Sequence, residues 1–144
     1  MVKELLVREF NFPDDYAAAR ELWEHAGAGI QLRRSDDPDE IHKKLQRDPD
    51  LFLVAEMEGR MVGTVVGGFD GRRGMVYHLA VSDQFQKQGI GEKLMDELEA
   101  RLKKKGCIRC YLLVTIDNEE AMRFYEHRGW AHMKYVRTYG KDLA

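Results

Sequence analysis

The sequence has no long apolar run, and it has no excess of charge of one sign. No apolar stretch approaches the ~20 residues that a membrane-spanning helix needs, and residues 1–4 do not begin a signal-peptide pattern. With 23 basic and 25 acidic residues, the formal net charge is -2, so the basic excess of a dedicated nucleic-acid binder is missing. We therefore expect a cytoplasmic protein whose partners include neither a membrane nor a nucleic acid.

Cysteine is scarce, and its placement does not favour a metal site. Cys107 and Cys110 form a single Cys-x-x-Cys without the second pair that a zinc site needs. The 5 histidines have no metal-ligand spacing, so we predict no metal. A redox pair normally opens a helix, whereas residues 107–115 have the composition of a strand. Residues three apart on a strand point to opposite faces, so we expect reduced, structural cysteines.

Length and composition predict a single domain over residues 1–144. The chain is 44% hydrophobic and 33% charged, which is typical of a globular protein with one core. No repeat, low-complexity tract or linker divides the sequence.

Apolar periodicity predicts the element order β-α-α-β-β-β-α-β-α-β. Strands are expected over residues 2–10, 51–57, 61–69, 75–81 and 107–115. Helices are expected after residues 13–15, after the Asp37-Pro38 start, from Ile90 to the basic run before Gly106, and after Asp117 or Asn118. Residues 130–143 also have strand composition, which does not distinguish one bent strand from a tight pair. The predicted class is a mixed α+β domain with one sheet.

Residues 77–91 join a buried strand to a helix through a Gly-x-Gly turn. Free amides and the helix dipole at such a junction favour an anion, and glycine lets a phosphate approach the backbone. No Gly-Lys-Ser/Thr follows, which excludes the phosphate loop of nucleotidases. Leu94 stands where the dinucleotide-binding fingerprint needs a third glycine.

Two motifs resemble the GNAT superfamily of acetyl-CoA-dependent N-acetyltransferases. The segment Gln86-x-x-Gly89-x-Gly91, preceded by Leu79-Ala80-Val81, is similar to the family's Gln/Arg-x-x-Gly-x-Gly/Ala signature and the strand before it. A second segment is similar to the family's Asn-x-x-Ala-x-x-Phe-Tyr-Glu-x-x-Gly-Phe and reads Asn118-x-x-Ala121-x-x-Phe124-Tyr125-Glu126-x-x-Gly129-Trp130. The chain looks most similar to small bacterial YpeA-like and ribosomal-protein-alanine-acetyltransferase-like members.

The resemblance extends over essentially the whole chain and implies a GNAT-like fold. That fold has one mixed, mostly antiparallel sheet of six to seven strands, flanked by four helices, with splayed central strands. Acetyl-CoA would be the co-substrate, with its pantetheine arm paired to a strand edge and its pyrophosphate over the glycine turn. The cofactor-binding residues implied are Leu79, Ala80, Val81, Gln86, Lys87, Gln88, Gly89, Ile90, Gly91, Asn118 and Tyr125.

The resemblance implies catalytic roles for only part of the site. Tyr125 would be the general acid that protonates the departing CoA thiolate, and backbone amides near residues 79–81 would polarise the thioester carbonyl. Many relatives carry a glutamate where this sequence has Met75 and Tyr77, so the base is not identified. His78, Glu56 and a water chain remain candidates. Without the resemblance, a core aromatic residue with its hydroxyl at the rim is the preferred interpretation of Tyr125.

The expected activity is transfer of an acetyl group to a primary amine, either a small molecule or a protein amine, by direct attack in a ternary complex. The alternative is a CoA-binding sensor or regulatory module without turnover, and a third option is a fold that binds no cofactor. The amine should bind on the face formed by the first two helices, the loop over residues 27–37 and the end of the chain. The acidic Asp36, Asp37 and Asp39 there could attract a cation. Exposed strand edges also make a homodimer an open alternative.

Overall fold

The computed structural model describes residues 4–144, except for the side chain of Ala28. The chain forms two compact units, of which the first ends at Leu113 and the second is Val114–Ala144. The beginning of the first predicted strand, residues 2 and 3, lies outside the described residues. Each unit is described by itself.

The first unit contains five strands and three α-helices. They are β1 (Leu5–Glu9), α1 (Tyr16–Glu24), α2 (Pro38–Arg47), β2 (Phe52–Met57), β3 (Arg60–Phe69), β4 (Gly74–Val81), α3 (Ile90–Lys104) and β5 (Cys110–Leu112). Short 3-10 turns occupy Gly27–Gly29, Arg34–Asp36 and Asp83–Phe85. Within residues 4–144, no helix combines the length and the apolar character required to cross a bilayer.

The sheet has the order β1-β2-β3-β4-β5. The pairs from β1 to β4 are antiparallel, whereas β4 and β5 are parallel and pair only from Gly74 with Cys110 to Val76 with Leu112. In the described part of the chain, residues 77–81 of β4 therefore have a partner strand on one side only. This confirms the mixed, mostly antiparallel sheet and leaves the second half of β4 as an exposed hydrogen-bonding edge.

A bulge interrupts the pairing of β3 with β4. Thr64 pairs with Ala80, but Val66 pairs with Tyr77, so the register shifts between them. His78 lies in the shifted segment with φ +48°, a left-handed conformation that non-glycine residues rarely adopt. Such a bulge changes the direction of the side chains around it.

The two faces of the sheet are covered by different helices. On one face, α1 and α2 complete a cluster of buried side chains, namely Phe10, Ala19, Trp23, Ile41, Phe52, Val54, Val66 and Ala80. Gly67 follows Val66 and therefore faces the opposite side, where a Cβ would meet Leu98 of α3. On this side of the sheet, α3 therefore packs directly against the backbone of β3.

The second unit contains one helix, α4 (Glu119–His127). Asn118 begins it as the N-cap, because its Oδ1 accepts the amide of Ala121 at 3.1 Å. Gly129 follows the end of the helix with φ +93°, a common way to terminate a helix.

The prediction of six to seven strands is wrong, because residues 130–144 form no strand and the described residues form five. Tyr135, Val136 and Tyr139 give this segment its strand composition, yet their side chains are exposed. Strand propensity mostly reflects packing against neighbouring strands, and the composition alone supplies no such neighbour. The mixed α+β class and the four helices are as predicted.

The strand predicted over residues 107–115 is also shorter than expected, since β5 begins at Cys110. Cys107 precedes the strand, so the argument that the two cysteines point to opposite faces was wrong. Both thiols are free. Burial is the main cause that raises the pKa of Cys110 to about 11, so this thiol stays protonated at neutral pH and is a poor nucleophile.

We expect Gly67→Ala to destabilise the protein. A Cβ at this position would lie 2.6 Å from Cδ1 of Leu98, and Leu98 is itself fully buried, so the free energy of unfolding should fall by ~1–3 kcal/mol. The matched control is Gly68→Ala, whose nearest contact would be the flexible Nζ of Lys44 at 3.4 Å. Urea denaturation measures both, and equal stability of the two variants would contradict the close packing of α3 on β3.

Candidate active site

A groove of about 700 Å³ opens in the first unit between α2 and the adjoining ends of β3 and β4. Ile41 and Val66 supply apolar wall, while Asp36 and His78 supply polar groups. Tyr77 also lines the groove. The groove is large enough for a small molecule or the end of a peptide.

Asp36 and His78 form a close pair in the wall of this groove. The His78 Nε2 atom lies 2.6 Å from Oδ1 of Asp36, and the two side chains are 18% and 9% exposed. The other carboxylate oxygen, Oδ2, accepts the amide of Arg33 at 3.1 Å. Burial alone would raise the pKa of Asp36, but the hydrogen bonds from His78 and Arg33 outweigh this effect and lower the pKa overall. The carboxyl group is therefore ionised at neutral pH.

The backbone carbonyl of His78 is fixed by a second set of contacts, which involves Thr64 and Trp23. The indole Nε1 of Trp23 donates to Oγ1 of Thr64 at 2.9 Å, and the Thr64 hydroxyl donates to the carbonyl oxygen of His78 at 3.0 Å. The rings of Trp23 and His78 also pack together, with their centroids 4.8 Å apart. This chain of contacts fixes both the bulge and the imidazole.

Glu56, the other candidate base from the sequence, is bound elsewhere. Its Oε1 accepts hydrogen bonds from Nε and Nη2 of Arg8 at 3.0 and 2.6 Å. The same guanidinium binds Asp15 at 2.7 Å, and Glu56 does not line the groove. The structure thus gives Glu56 a role in an ion-pair network that joins β1, β2 and the start of α1.

The structure modifies the prediction that acidic loop residues attract a cationic amine. Asp36 is only 6% exposed and its two oxygens already accept hydrogen bonds, so it does not present a free charge to solvent. Asp37 lies with Oδ1 3.8 Å from Nη1 of Arg20. The sequence identified Asp36 only as one of several acidic loop residues. Its partner His78 is 42 residues away, and no local pattern relates the two.

The glycine turn has the conformation that an anion cradle needs. Gly89 is the N-cap of α3 with φ +78°, and a Cβ there would point into open space. Lys87 also has a positive φ, +61°. Gln86 steadies the turn, because its Nε2 donates to the carbonyl of Val81 at 3.0 Å. The first amides of α3 have no acceptor within the helix, so the turn and helix together can bind a phosphate.

The other residues predicted to bind the cofactor differ in solvent exposure. Gln88 is exposed and Gly91 half-buried, whereas the Ile90 side chain is 1% exposed. Ile90 can therefore offer only its backbone amide to a ligand. Leu79 and Val81 are half-buried on β4, and Ala80 is buried.

The second unit holds the other two predicted site residues. Asn118 uses its side chain as the helix cap, so its structural role is established here. The Tyr125 ring packs edge-on against Phe124 and Trp130, with centroid distances of 5.2 and 5.9 Å. Burial raises the pKa of Tyr125 to about 12, and the charge of Arg128 opposes this rise. The phenol is therefore a protonated donor at neutral pH.

Comparison with known proteins gives consistent matches. The sequence profile of the acetyltransferase (GNAT) family matches residues 6–130. An acetyltransferase of Pectobacterium atrosepticum is 44% identical over 131 residues, which is 90% of each chain. The crystal structure of Ard1 from Thermoplasma volcanium matches with a TM-score of 0.77 at 25% identity, over 88% of this chain and 82% of that chain.

A more distant structure shares the fold. It is the aminoglycoside N-acetyltransferase AAC(6')-Iy in complex with CoA, with a TM-score of 0.74 at 16% identity over 98% of this chain and 97% of that chain. The predicted fold class is confirmed by the observed elements and the match to Ard1, and the predicted acetyl-CoA-dependent acetyltransferase activity is confirmed by the family profile and the curated relative. The chain belongs to the GNAT family of acetyltransferases.

Proposed function

We propose that this protein transfers the acetyl group of acetyl-CoA to a primary amine by direct attack in a ternary complex, in the cytoplasm and without a metal. The observation that carries the proposal is the half-paired β4. Its residues 77–81 have a strand partner on one side only among the described residues, and the turn that follows leads directly into the start of α3. A ligand whose long, amide-bearing arm is attached to a pyrophosphate fits an open strand edge that is followed by the start of a helix.

The proposed cofactor contacts use backbone more than side chains. The amides of the pantetheine arm would pair with the open edge of β4. The pyrophosphate would accept hydrogen bonds from the amides that follow Gly89, where the helix dipole also favours negative charge. Lys87 would add a positive charge beside it. The full set is Leu79, Ala80, Val81, Gln86, Lys87, Gln88, Gly89, Ile90, Gly91, Asn118 and Tyr125.

The proposed reaction needs three things from the protein. A base takes the proton of the attacking amine, and His78 and Glu56 are the side-chain candidates. Backbone N–H groups near residues 79–81 stabilise the oxyanion of the tetrahedral intermediate. Tyr125 donates to the sulfur as the C–S bond breaks, because its pKa of about 12 keeps the hydroxyl protonated.

The acceptor is proposed as a class only. The groove lined by Asp36 and His78 accommodates a small-molecule amine or a peptide amine, and the neighbour AAC(6')-Iy is named as an aminoglycoside acetyltransferase. We propose no nucleic-acid or membrane partner. A homodimer through an exposed strand edge stays a prediction.

The test is release of CoA thiol from acetyl-CoA in the presence of small amines, polyamines, aminoglycosides and peptides with free N-termini. We expect release that depends on the amine, together with acetylated product by mass spectrometry. Calorimetry with CoA runs in parallel. Tight CoA binding without turnover on any amine would favour the sensor alternative, and absence of CoA binding would refute both functions.

We expect Gly89→Val to abolish CoA binding while the protein stays folded. The valine side chain would occupy the space into which the amides of α3 open, and the φ of +78° adds strain of ~1–2 kcal/mol. The matched control is Gly106→Val, which has φ +93° and no neighbour within 4 Å but lies at the other end of α3. Calorimetry measures affinity and a melting curve measures stability. Equal CoA affinities for the two variants would refute the cradle.

We expect Tyr125→Phe to lower kcat by on the order of tens to a hundredfold. The effect is at the lower end for an acid catalyst, because a thiol with a pKa of about 8.5 leaves readily at neutral pH. A phenol with a pKa of about 12 also gives up its proton reluctantly, so it assists mainly as a hydrogen-bond donor.

The control for this variant is Tyr135→Phe, the same change at a fully exposed position of the same unit. Acetyl-CoA affinity and melting temperature should change little in either, since the aromatic ring is kept. Wild-type kcat in Tyr125→Phe would remove this hydroxyl from the mechanism.

A further inference from the structure

We propose that Asp36 is a positioning residue that holds His78 as the catalytic base, with His78 Nδ1 as the atom that takes the proton of the amine. This inference rests on the proposed acetyl transfer and identifies which of its candidate bases acts. Nothing in the sequence around either residue indicates the pair, because 42 positions separate them.

The geometry determines which imidazole nitrogen carries the proton. An ionised carboxylate can only accept hydrogen bonds, so the 2.6 Å contact between Asp36 Oδ1 and His78 Nε2 requires a proton on Nε2. Neutral imidazole has one N–H, and Nδ1 therefore keeps its lone pair. Within residues 4–144, the His78 side chain makes no second hydrogen bond. The basic nitrogen is available, and the residue lines the groove.

Both members of the pair are fixed by other contacts. Asp36 lies in the 3-10 turn Arg34–Asp36, where the Arg33 amide binds Oδ2 at 3.1 Å and the Tyr16 hydroxyl donates to the Asp36 carbonyl at 2.7 Å. The Thr64 hydroxyl holds the carbonyl of His78 from the other side. A base held in one orientation loses little freedom when the substrate binds.

The step balances without any further reactant. As the amine nitrogen bonds to the acetyl carbon, its N–H proton moves to Nδ1 of His78, and the thioester carbonyl becomes an oxyanion. The resulting imidazolium is stabilised by the carboxylate of Asp36. When the intermediate collapses, the C–S bond breaks and the CoA thiolate leaves. The imidazolium proton goes to this sulfur, or it replaces the proton that Tyr125 has given to the sulfur, so the products are an acetamide, CoA thiol and neutral His78.

The competing candidate fits this role less well. Glu56 already accepts two hydrogen bonds from Arg8 through its Oε1 atom, so this oxygen is occupied by a structural contact. Glu56 also lies outside the lining of the groove. A purely structural Asp36–His78 pair is the remaining alternative, and it predicts loss of stability rather than loss of turnover.

The first test uses the unaltered protein. The ¹⁵N chemical shifts of the imidazole ring, measured at mildly alkaline pH where an ordinary histidine is neutral, report which nitrogen is protonated. We expect His78 to be the Nε2–H form, assigned by comparison with His78→Gln. A His78 ring protonated on Nδ1 would overturn the proposal, whether or not an acceptor amine has been found.

The second test compares Asp36→Asn with Asp96→Asn. The two changes are chemically identical, but Asp96 is exposed on α3 and does not line the groove. We expect Asp36→Asn to lower kcat by ~10²-fold or more, since an amide can hold the imidazole in the wrong tautomer. The KM for acetyl-CoA should stay within about twofold of wild type, and Asp96→Asn should retain wild-type kcat.

The two tests separate failure of the inference from failure of the proposed function. Wild-type kcat in Asp36→Asn, with an active wild-type enzyme, would refute the positioning role alone. A kcat loss matched by an equal loss of folded protein, even with the Nε2–H form in the wild type, would indicate a purely structural pair and overturn the positioning role. Lack of turnover by the wild type on every amine would refute the acetyl transfer itself.

Discussion

The hydrogen bond from the Thr64 hydroxyl to the carbonyl of His78 is the contact on which the site depends. Thr64 is completely buried, and it also accepts the indole N–H of Trp23. Buried polar groups are costly without partners, so this chain of three groups specifies one arrangement of β3, β4 and α1. It holds His78 in a left-handed conformation that would otherwise be unfavourable, and it brings the imidazole to Asp36.

The same strand, β4, also carries the proposed contacts with the cofactor. Because β5 pairs with only the first part of β4, the rest of the edge is available for another chain of amides. The glycines at positions 63 and 67 allow α3 to lie close to β3, which fixes where the helix begins relative to the end of β4. The left-handed Gly89 then turns the chain so that the first amides of α3 remain open.

The protonation states of Asp36 and Tyr125 are set by local contacts rather than by net charge. The carboxyl of Asp36 is kept ionised by hydrogen bonds despite its burial, and burial keeps Tyr125 protonated. In the proposed reaction, the first group would stabilise a developing positive charge and the second would donate to a developing negative charge. Local ion pairs also have a structural role in this protein. Arg8 binds both Asp15 and Glu56, and it thereby connects the start of α1 to the sheet.

The amino-acid sequence by itself determined the family, the α+β class, the four helices and the glycine turn. These features depend on residues that are close together in the chain, where periodicity, caps and glycine positions are directly readable, as at Asn118 and Gly89. Tertiary structure alone decided the features that depend on distant residues. The segment 130–143 has strand composition but forms no strand, because a strand needs a neighbouring edge. Glu56 is occupied by Arg8, and Asp36 meets His78 across 42 positions, because folding, and not local sequence, brings these side chains together.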